Sequence, residues 1–416
     1  MKNIHYKQLI AFAAILTLSA CNNSKNRTDK SQEQIAENRD SVITIQLSGS
    51  SRYKHEFAMS EIVKDIQYIP LETNDDCLLG NRIGQPVFTK DYIFIVSGGI
   101  LFQFDRNGKF VKRINRKGQG PGECDTRDFG IVEKTQLIYI YDNWKLSVNI
   151  YDFNGKYLDV IRNPFSQEPD GSSGSRMECD VKGNIFFNFD NFGSMKYQYT
   201  VMDNKGEFLY KSPNPILYDN KKKIWRFSIY PSAMYFYDNT LYYNYVFNDT
   251  VFRINDDYSC SPAYIIKIPK RLTLEENIRT GTNEIPYSDF SGHIQHKAIR
   301  EDHHYIYIYN NYNPYSEDFI PLFSRYDKQK KELLDNINPK LKNDFDGGMD
   351  IELAPFKQTD NVFIYTYWPH EMQEKLTDGH FAETEVEFPE KRDSLKTMIN
   401  NLPEDDNPVL MIVTLK

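Results

Sequence analysis

The stretch DYIFIVSGGILFQFDRNGKFVKRI, residues 91–114, reads as three strands in a fixed order. An alternating aromatic strand is followed by a short gap, a second strand, an Asp-x-x-Gly turn and a third strand. The same order returns in QLIYIYDNWKLSVNIYDFNGKYLDVI at 136–161 and in GNIFFNFDNFGSMKYQYTVMDNKGEFLYKS at 183–212. The turns Asp105-Arg106-Asn107-Gly108, Asp152-Phe153-Asn154-Gly155 and Asp203-Asn204-Lys205-Gly206 suit tight hairpins, because glycine accepts the positive φ they demand. Weaker copies open at Asn239 (NTLYYNYVFNDTVFRINDD) and His303 (HHYIYIYNNYNPYSEDFIPLFSRYDKQKKELL). A sixth opens with NVFIYTYW at Asn361 and closes with PVLMIVTLK at the C-terminus.

Asp105, Asp152 and Asp203 lie 47 and 51 residues apart. That is the period of a four-stranded propeller blade, not of a helical repeat. One blade cannot bury both of its faces, so blades stack radially and close on themselves. Five units and a split terminal one predict an all-β, six-bladed β-propeller over residues 41–416. The early strand IQYIPL at 66–71 would complete the last blade and shut the ring. A β-sandwich with accidental self-similarity is the competing fold. One short helix is expected in the last blade: after Pro389, the residues Leu395, Met398, Ile399 and Leu402 share a helical face, and Pro403 ends it. The polar segment 369–388 reads as an excursion inserted in the same blade.

Aromatic residues make up 14% of the chain, 29 Tyr and 27 Phe among them, which favours strands. A net charge of −8, with no basic run longer than Lys221-Lys222-Lys223, argues against a nucleic-acid partner. The N-terminus has the form of an export signal over 1–20: Lys2 and Lys7, an apolar run at 9–18 too short to span a bilayer, then Ser19 and Ala20 before Cys21. Leu18-Ser19-Ala20-Cys21 resembles the bacterial lipobox, in which the cysteine is acylated, with palmitate among its chains, and becomes the mature N-terminus. An ordinary signal followed by a chance cysteine is the alternative. Residues 21–40 hold one strong hydrophobe, Ile35, and read as a flexible tether. Cys77, Cys124, Cys179 and Cys260 show no CxxC spacing. Export permits disulfides, but these positions read as small buried side chains.

Several strings then resemble one family, the six-bladed β-propeller lipoproteins of Bacteroidetes, which look like relatives of NHL-repeat propellers. They are IQYIPLET at 66–73, RKGQGPGE at 116–123, FNDTVFRI at 247–254, NDFDGG at 343–348 and PEKRDSLKTMINNLPEDDNPVLMIVTLK at 389–416. Cys124 departs from the family where an aromatic usually follows the GPGE string, and Met349-Asp350 replace the usual sequel to DGG. The resemblance implies the propeller fold and a cell-envelope location. It implies little about chemistry, because the family is mostly without assigned activity and a propeller hosts many functions. Outer-membrane lipoproteins of some bacteria are displayed through an acidic stretch after the cysteine. Asn22, Asn23, Ser24 and Lys25 stand there instead, so the expected location is the outer membrane, facing the periplasm.

Ligand-binding candidates cluster in Lys117, Gly118, Gly120, Gly122 and Glu123, a glycine-rich loop whose backbone N–H groups could form a nest for an anion. The competing reading is a tight crossover between blades, with its glycines, Gly120 among them, at positive φ. Trp144, beside Asp142 and Asn143 in a strand gap, is the best candidate for an exposed stacking platform; Trp225 and Trp368 are the other two. Asp344, Asp346 and Asp350 surround Gly347-Gly348 and could hold Ca²⁺, though the EF-hand pattern fails for want of a glutamate at its twelfth position. A solvated turn is the other reading. His293, His296, His303 and His304 fall within twelve residues, and His293 and His296 are candidate metal ligands. His303 and His304 are expected to open a strand. No Ser-His-Asp elbow or HExxH string appears. These features together favour a non-enzymatic binding module in the envelope, with a glycan, a peptide or an envelope protein as partner. The rival is a metal-dependent propeller enzyme of the lactonase or lyase kind.

Overall fold

The computed structural model describes residues 42–162, 164–165, 176–189, 196–215, 217, 232–245, 247–281, 290–317, 319–355, 358–359, 361–383 and 385–416. The export signal, Cys21, the tether and Trp225 lie outside the described residues. Six antiparallel sheets follow one another along the chain. Blade one is Val87–Phe88, Tyr92–Ser97, Ile100–Asp105 and Phe110–Arg113; blade two is Asp128–Val132, Leu137–Asp142, Ser147–Asp152 and Tyr157–Arg162. Blade three is Arg176–Cys179, Ile185–Asn188, Tyr197–Met202 and Phe208–Pro213. Blade four is Ser232–Tyr237, Thr240–Tyr245, Thr250–Ile254 and Cys260–Lys267. Blade five is Ile294–Glu301, Tyr305–Tyr312, Ile320–Asp327 and Glu332–Ile337. Blade six joins Gln358–Thr359, Val362–Tyr367 and Val409–Leu415 to Val63–Pro70 from the other end of the chain. The repeat quoted above supplies the second to fourth strands of a blade. The innermost strand precedes it in each case.

The Asp-x-x-Gly turns join third to fourth strands. Asp105, Asp152 and Asp203 each accept two backbone N–H bonds across the turn, at 2.8–2.9 Å, and Gly108, Gly155 and Gly206 have φ between 74° and 87°. Along each strand, side chains alternate between the two neighbouring blades. Ile138 and Ile140 pack on Phe94 and Leu101 of blade one, while Tyr139 and Tyr141 pack on Met177 and Phe187 of blade three. Phe186 and Tyr199 meet Met234 and Tyr243, and Tyr242 and Tyr264 meet Ile299 and Ile308. Tyr307 and Phe323 meet Phe363 and Met411, and Leu410 and Leu71 meet Ile93 and Phe102. Each neighbouring pair of blades thus shares one apolar cluster, and the pair six–one completes the circle. This is a six-bladed β-propeller.

Closure extends beyond the expected strand. Val63–Pro70 pairs antiparallel along its length with Val409–Leu415. Upstream, Ile43–Gln46 lies parallel to residues 264–267 as a fifth, outermost strand of blade four. The connecting segment crosses the rim of blade five, where the Ser48 amide donates to Asp335 (2.6 Å) and the Lys54 amide to the Asn336 carbonyl (2.9 Å). The N-terminal segment therefore belts the outer edges of blades four, five and six. Residues 369–408 join the second and third strands of blade six. Pro389–Asn401 is the expected helix, with Leu395 and Ile399 buried and Met398 and Leu402 packed beside them on the five–six cluster. The polar excursion holds two further helices, Pro369–Thr377 and His380–Glu383. Pro369 opens the first of these, and the Trp368 amide donates to Glu371 (2.8 Å) just before it.

Candidate functional site

In a four-stranded meander the first-to-second and third-to-fourth connections share one end of the blade. The second-to-third turns and the blade-to-blade crossovers share the other. The glycine-rich loop belongs to the crossover from blade one to blade two, and Trp144 to the second-to-third turn of blade two, so both occupy the same end. Asp142, buried at the start of that turn, accepts from the Trp144 and Lys145 amides with one oxygen (2.9 and 3.0 Å) and from the Asp125 amide with the other (2.9 Å). The Lys145 ammonium donates to the Gly118 and Glu123 carbonyls, both at 2.6 Å. One carboxylate and one ammonium therefore lock turn and loop together. The Trp144 indole is left 82% exposed. It borders an open cleft of about 410 Å³ whose walls include Arg82, Asp125, Thr126, Arg127 and Asn143. Arg82 and Arg127 are exposed. Lys117 pairs with Asp125 at 3.0 Å, a half-exposed contact of small energetic weight.

Within the loop the Gly120 amide donates to Glu123 Oε2 (2.9 Å), so the loop's own carboxylate sits where an anion would approach that N–H. Gly122, at φ +71°, lies in the left-handed region, and a Cβ there would meet the Tyr157 ring at 2.7 Å. Gly120 does not have positive φ, contrary to the sequence expectation; its Cβ would meet Glu123 Oε2 at 3.1 Å. The Tyr151 hydroxyl donates to the Gly122 carbonyl (2.6 Å) and lies 3.3 Å from Cys124 Sγ. Burial pushes the Cys124 thiol up to about 11, which makes it a packing group. All four described cysteines are free; Cys77 and Cys124 are buried, Cys179 is half-buried and Cys260 is exposed.

The acidic and histidine candidates are held by protein partners. Asp344 accepts from the Ser60 amide and hydroxyl (2.8 and 2.7 Å), and Asp350 from the Asn343 amide (2.9 Å). Asp346 accepts from Asn343 Nδ2, the Gly348 amide and the Tyr68 hydroxyl (2.7, 2.9 and 3.2 Å), and burial raises its carboxyl. These bonds tie the crossover from blade five to six onto the N-terminal belt. His293 pairs with Glu276 at 3.3 Å. His296 is buried between Asn310 and Asn244, 2.9 Å from each, and burial, with Arg271 nearby, lowers it to about 3. His303 and His304 lie in an exposed turn before Tyr305–Tyr312 and not at the opening of the strand. Among the described residues, no three His, Cys, Asp or Glu side chains are grouped to hold a metal. Trp368 is half-buried against the six–one cluster.

Sequence reading missed the inner strands and the charges on them. Asp128 of blade two, Arg176 and Glu178 of blade three and Arg300 of blade five lie on first strands and act on one another electrostatically. Burial first, and Asp128 second, push the Glu178 carboxyl up to about 7; Arg300 and Arg176 oppose the shift. Asp128 is raised by burial although the Met177 and Phe129 amides donate to it (2.9 and 3.0 Å). The only signal in sequence was the charge carried by the inner strands of blades two, three and five.

Residues 42–414 match the family described as Domain of unknown function (DUF4934). Among solved structures, a Bacteroides fragilis protein named as exported has a TM-score of 0.65 at 17% identity, covering 90% of this chain and 100% of that one. A member of the DUF4221 family from Bacteroides vulgatus has a TM-score of 0.47 at 12% identity, over 85% and 97% of the two chains. Virginiamycin B lyase from Staphylococcus aureus has a TM-score of 0.36 at 13% identity, over 65% and 73%. At 17% identity the first likeness concerns the fold alone. No curated protein matches significantly.

Proposed function

The chain belongs to the DUF4934 family, and on that premise we propose that it is a binding module of the cell envelope that seats an acidic glycan in the cleft beside Trp144. The observation that carries the reading is the exposed indole at the edge of a cleft with two exposed arginines, on a turn whose backbone Asp142 and Lys145 tie to the neighbouring loop. Leaving a large aromatic in water forgoes about 1.5–3 kcal/mol of burial. An exposed tryptophan on an anchored turn is a stacking surface for the C–H face of a sugar ring. Arg82 and Arg127 supply forked donors suited to a carboxylate, and Asn143 supplies both a donor and an acceptor. Acylation of Cys21 would anchor the module, and the absence of an acidic stretch after it supports a periplasm-facing position at the outer membrane.

The reading is tested on an array of acidic and neutral glycans. The wild-type chain should retain uronate-bearing glycans and Trp144→Ala should not. Binding of peptides alone, or equal glycan binding by Trp144→Ala, would overturn it. Labelled palmitate should enter the wild-type chain and not Cys21→Ala; label in both would remove the anchor from the proposal.

A further inference from the structure

The cleft beside Trp144 also holds a charge opposite in sign to its arginines. Asp125 stands in the same wall as Arg82 and Arg127. Its place beside the indole is fixed through the backbone. Asp142 accepts from the Asp125 amide with one oxygen (2.9 Å) and from the Trp144 amide with the other (2.9 Å). One buried carboxylate thus joins the crossover that carries Asp125 to the turn that carries Trp144. The next amide along, that of Thr126, donates to the Gly99 carbonyl (2.8 Å), which ties the same crossover to the second-to-third turn of blade one.

That turn borders the cleft with two glycines, Gly98 and Gly99. A Cβ on Gly99 would lie 2.2 Å from Asp125 Oδ1, so the carboxylate occupies room that only a glycine leaves. A Cβ on Gly98 would meet nothing within 4 Å, so the cleft stays open over the turn. The two oxygens of Asp125 are engaged unequally. Oδ2 lies 3.0 Å from the Lys117 ammonium, and among the described residues no group donates to Oδ1. The side chain remains 36% exposed, within reach of a ligand in the cleft.

We infer that Asp125 reads the hydroxyls of the sugar seated on Trp144, which narrows the ligand to a uronate whose ring hydroxyls are unsubstituted. The inference rests on the glycan reading of the cleft. An ionised carboxylate only accepts, through about four lone-pair sites, and Lys117 takes up one of them. A sugar ring that stacks by its C–H face projects hydroxyl donors from its rim, where an acceptor flanking the indole meets them. The arginines cannot fill that role, since a guanidinium only donates. The charges therefore divide the ligand: Arg82 and Arg127 take its carboxylate and Asp125 takes its hydroxyls. Alone beside an anion Asp125 would repel it, and Lys117 offsets part of that repulsion while holding Oδ2. Methylation or acetylation of the ring hydroxyls removes the donors that Oδ1 accepts from.

Calorimetry on the full-length chain tests this with the methyl glycosides of galacturonate and glucuronate, and with monodeoxy analogues that each lack one ring hydroxyl. At least one analogue should bind the wild type about tenfold more weakly than its parent, as loss of a hydrogen bond to a charged group requires. Asp125→Ala should weaken the parent by about the same factor and no longer tell the two apart. A merely structural role for Asp125 would weaken both ligands together and leave their ratio unchanged, which would overturn the inference. Should Asp125→Ala fail to fold, Asp125→Asn, a neutral and weaker acceptor, should shrink the discrimination to about threefold or less. Trp144→Ala should bind neither parent nor analogue. Equal binding of parent and every analogue by the wild type would overturn the inference and leave the seat on Trp144 in place. Tighter binding of the parent by Asp125→Ala would do the same, as the mark of a carboxylate that only repels. A wild-type chain that binds neither uronate, or a Trp144→Ala chain that binds as the wild type does, would overturn the glycan reading and this inference with it.

Discussion

Gly122 and His296 show what single residues contribute. Gly122 combines a left-handed φ with contact against the Tyr157 ring, so Gly122→Val should cost about 1–3 kcal/mol by urea denaturation. Gly120→Ala should cost less than half as much, since its backbone is ordinary and only the far end of Glu123 must give way. His296 is neutral in the fold, well below the ordinary histidine value. The unfolded chain takes up a proton as pH falls through about 6.5, and the folded chain does not until about 3. Stability should therefore drop between those values by up to about 1.4 kcal/mol per pH unit. His296→Gln should flatten that slope in pH-dependent melts; an equal slope in the variant would reject the assignment. Trp144 and residues 117–123 were legible as candidates because they stand in short contiguous stretches. Glu178 and Arg300 were not, because each is one charge in a different blade and only the folded ring lets them act on one another.

At the level of elements, the second to fourth strands were readable because they alternate and end in an Asp-x-x-Gly turn. Inner strands such as Val87–Phe88, Arg176–Cys179 and Gln358–Thr359 are two to four residues long. That is too short for a period to register. Pro389–Asn401 was readable from its apolar face and its flanking prolines. The helices at 369–377 and 380–383 were masked by their polarity, since they rest on the five–six cluster through few side chains, Met372 and Phe381 among them. Ile399 of the helix and Ile45 of the outermost strand are each buried, in the five–six and four–five clusters. Ile399→Ala and Ile45→Ala are each expected to cost about 2–5 kcal/mol. Urea midpoints measure both; an unchanged midpoint for Ile45→Ala would mean that the belt adds no stability to blade four.

For the whole molecule, closure depends on both chain ends: Val409–Leu415 is sandwiched between Val362–Tyr367 and Val63–Pro70, and the belt continues to blade four. Such a ring keeps its crossover and turn ends rigidly registered, which is how Asp142 and Lys145 can hold Trp144 beside a crossover contributed by another blade. The glycan reading rests on that indole, and the chain has three tryptophans that can be told apart by substitution. Fluorine NMR of the chain labelled with 5-fluorotryptophan reads the site directly. On addition of an oligogalacturonate, the resonance that Trp144→Phe removes should shift, while that of Trp368, half-buried between blades six and one, should stay in place. A resonance of Trp144 unmoved by every acidic glycan that the chain retains would contradict a ligand seat in this cleft.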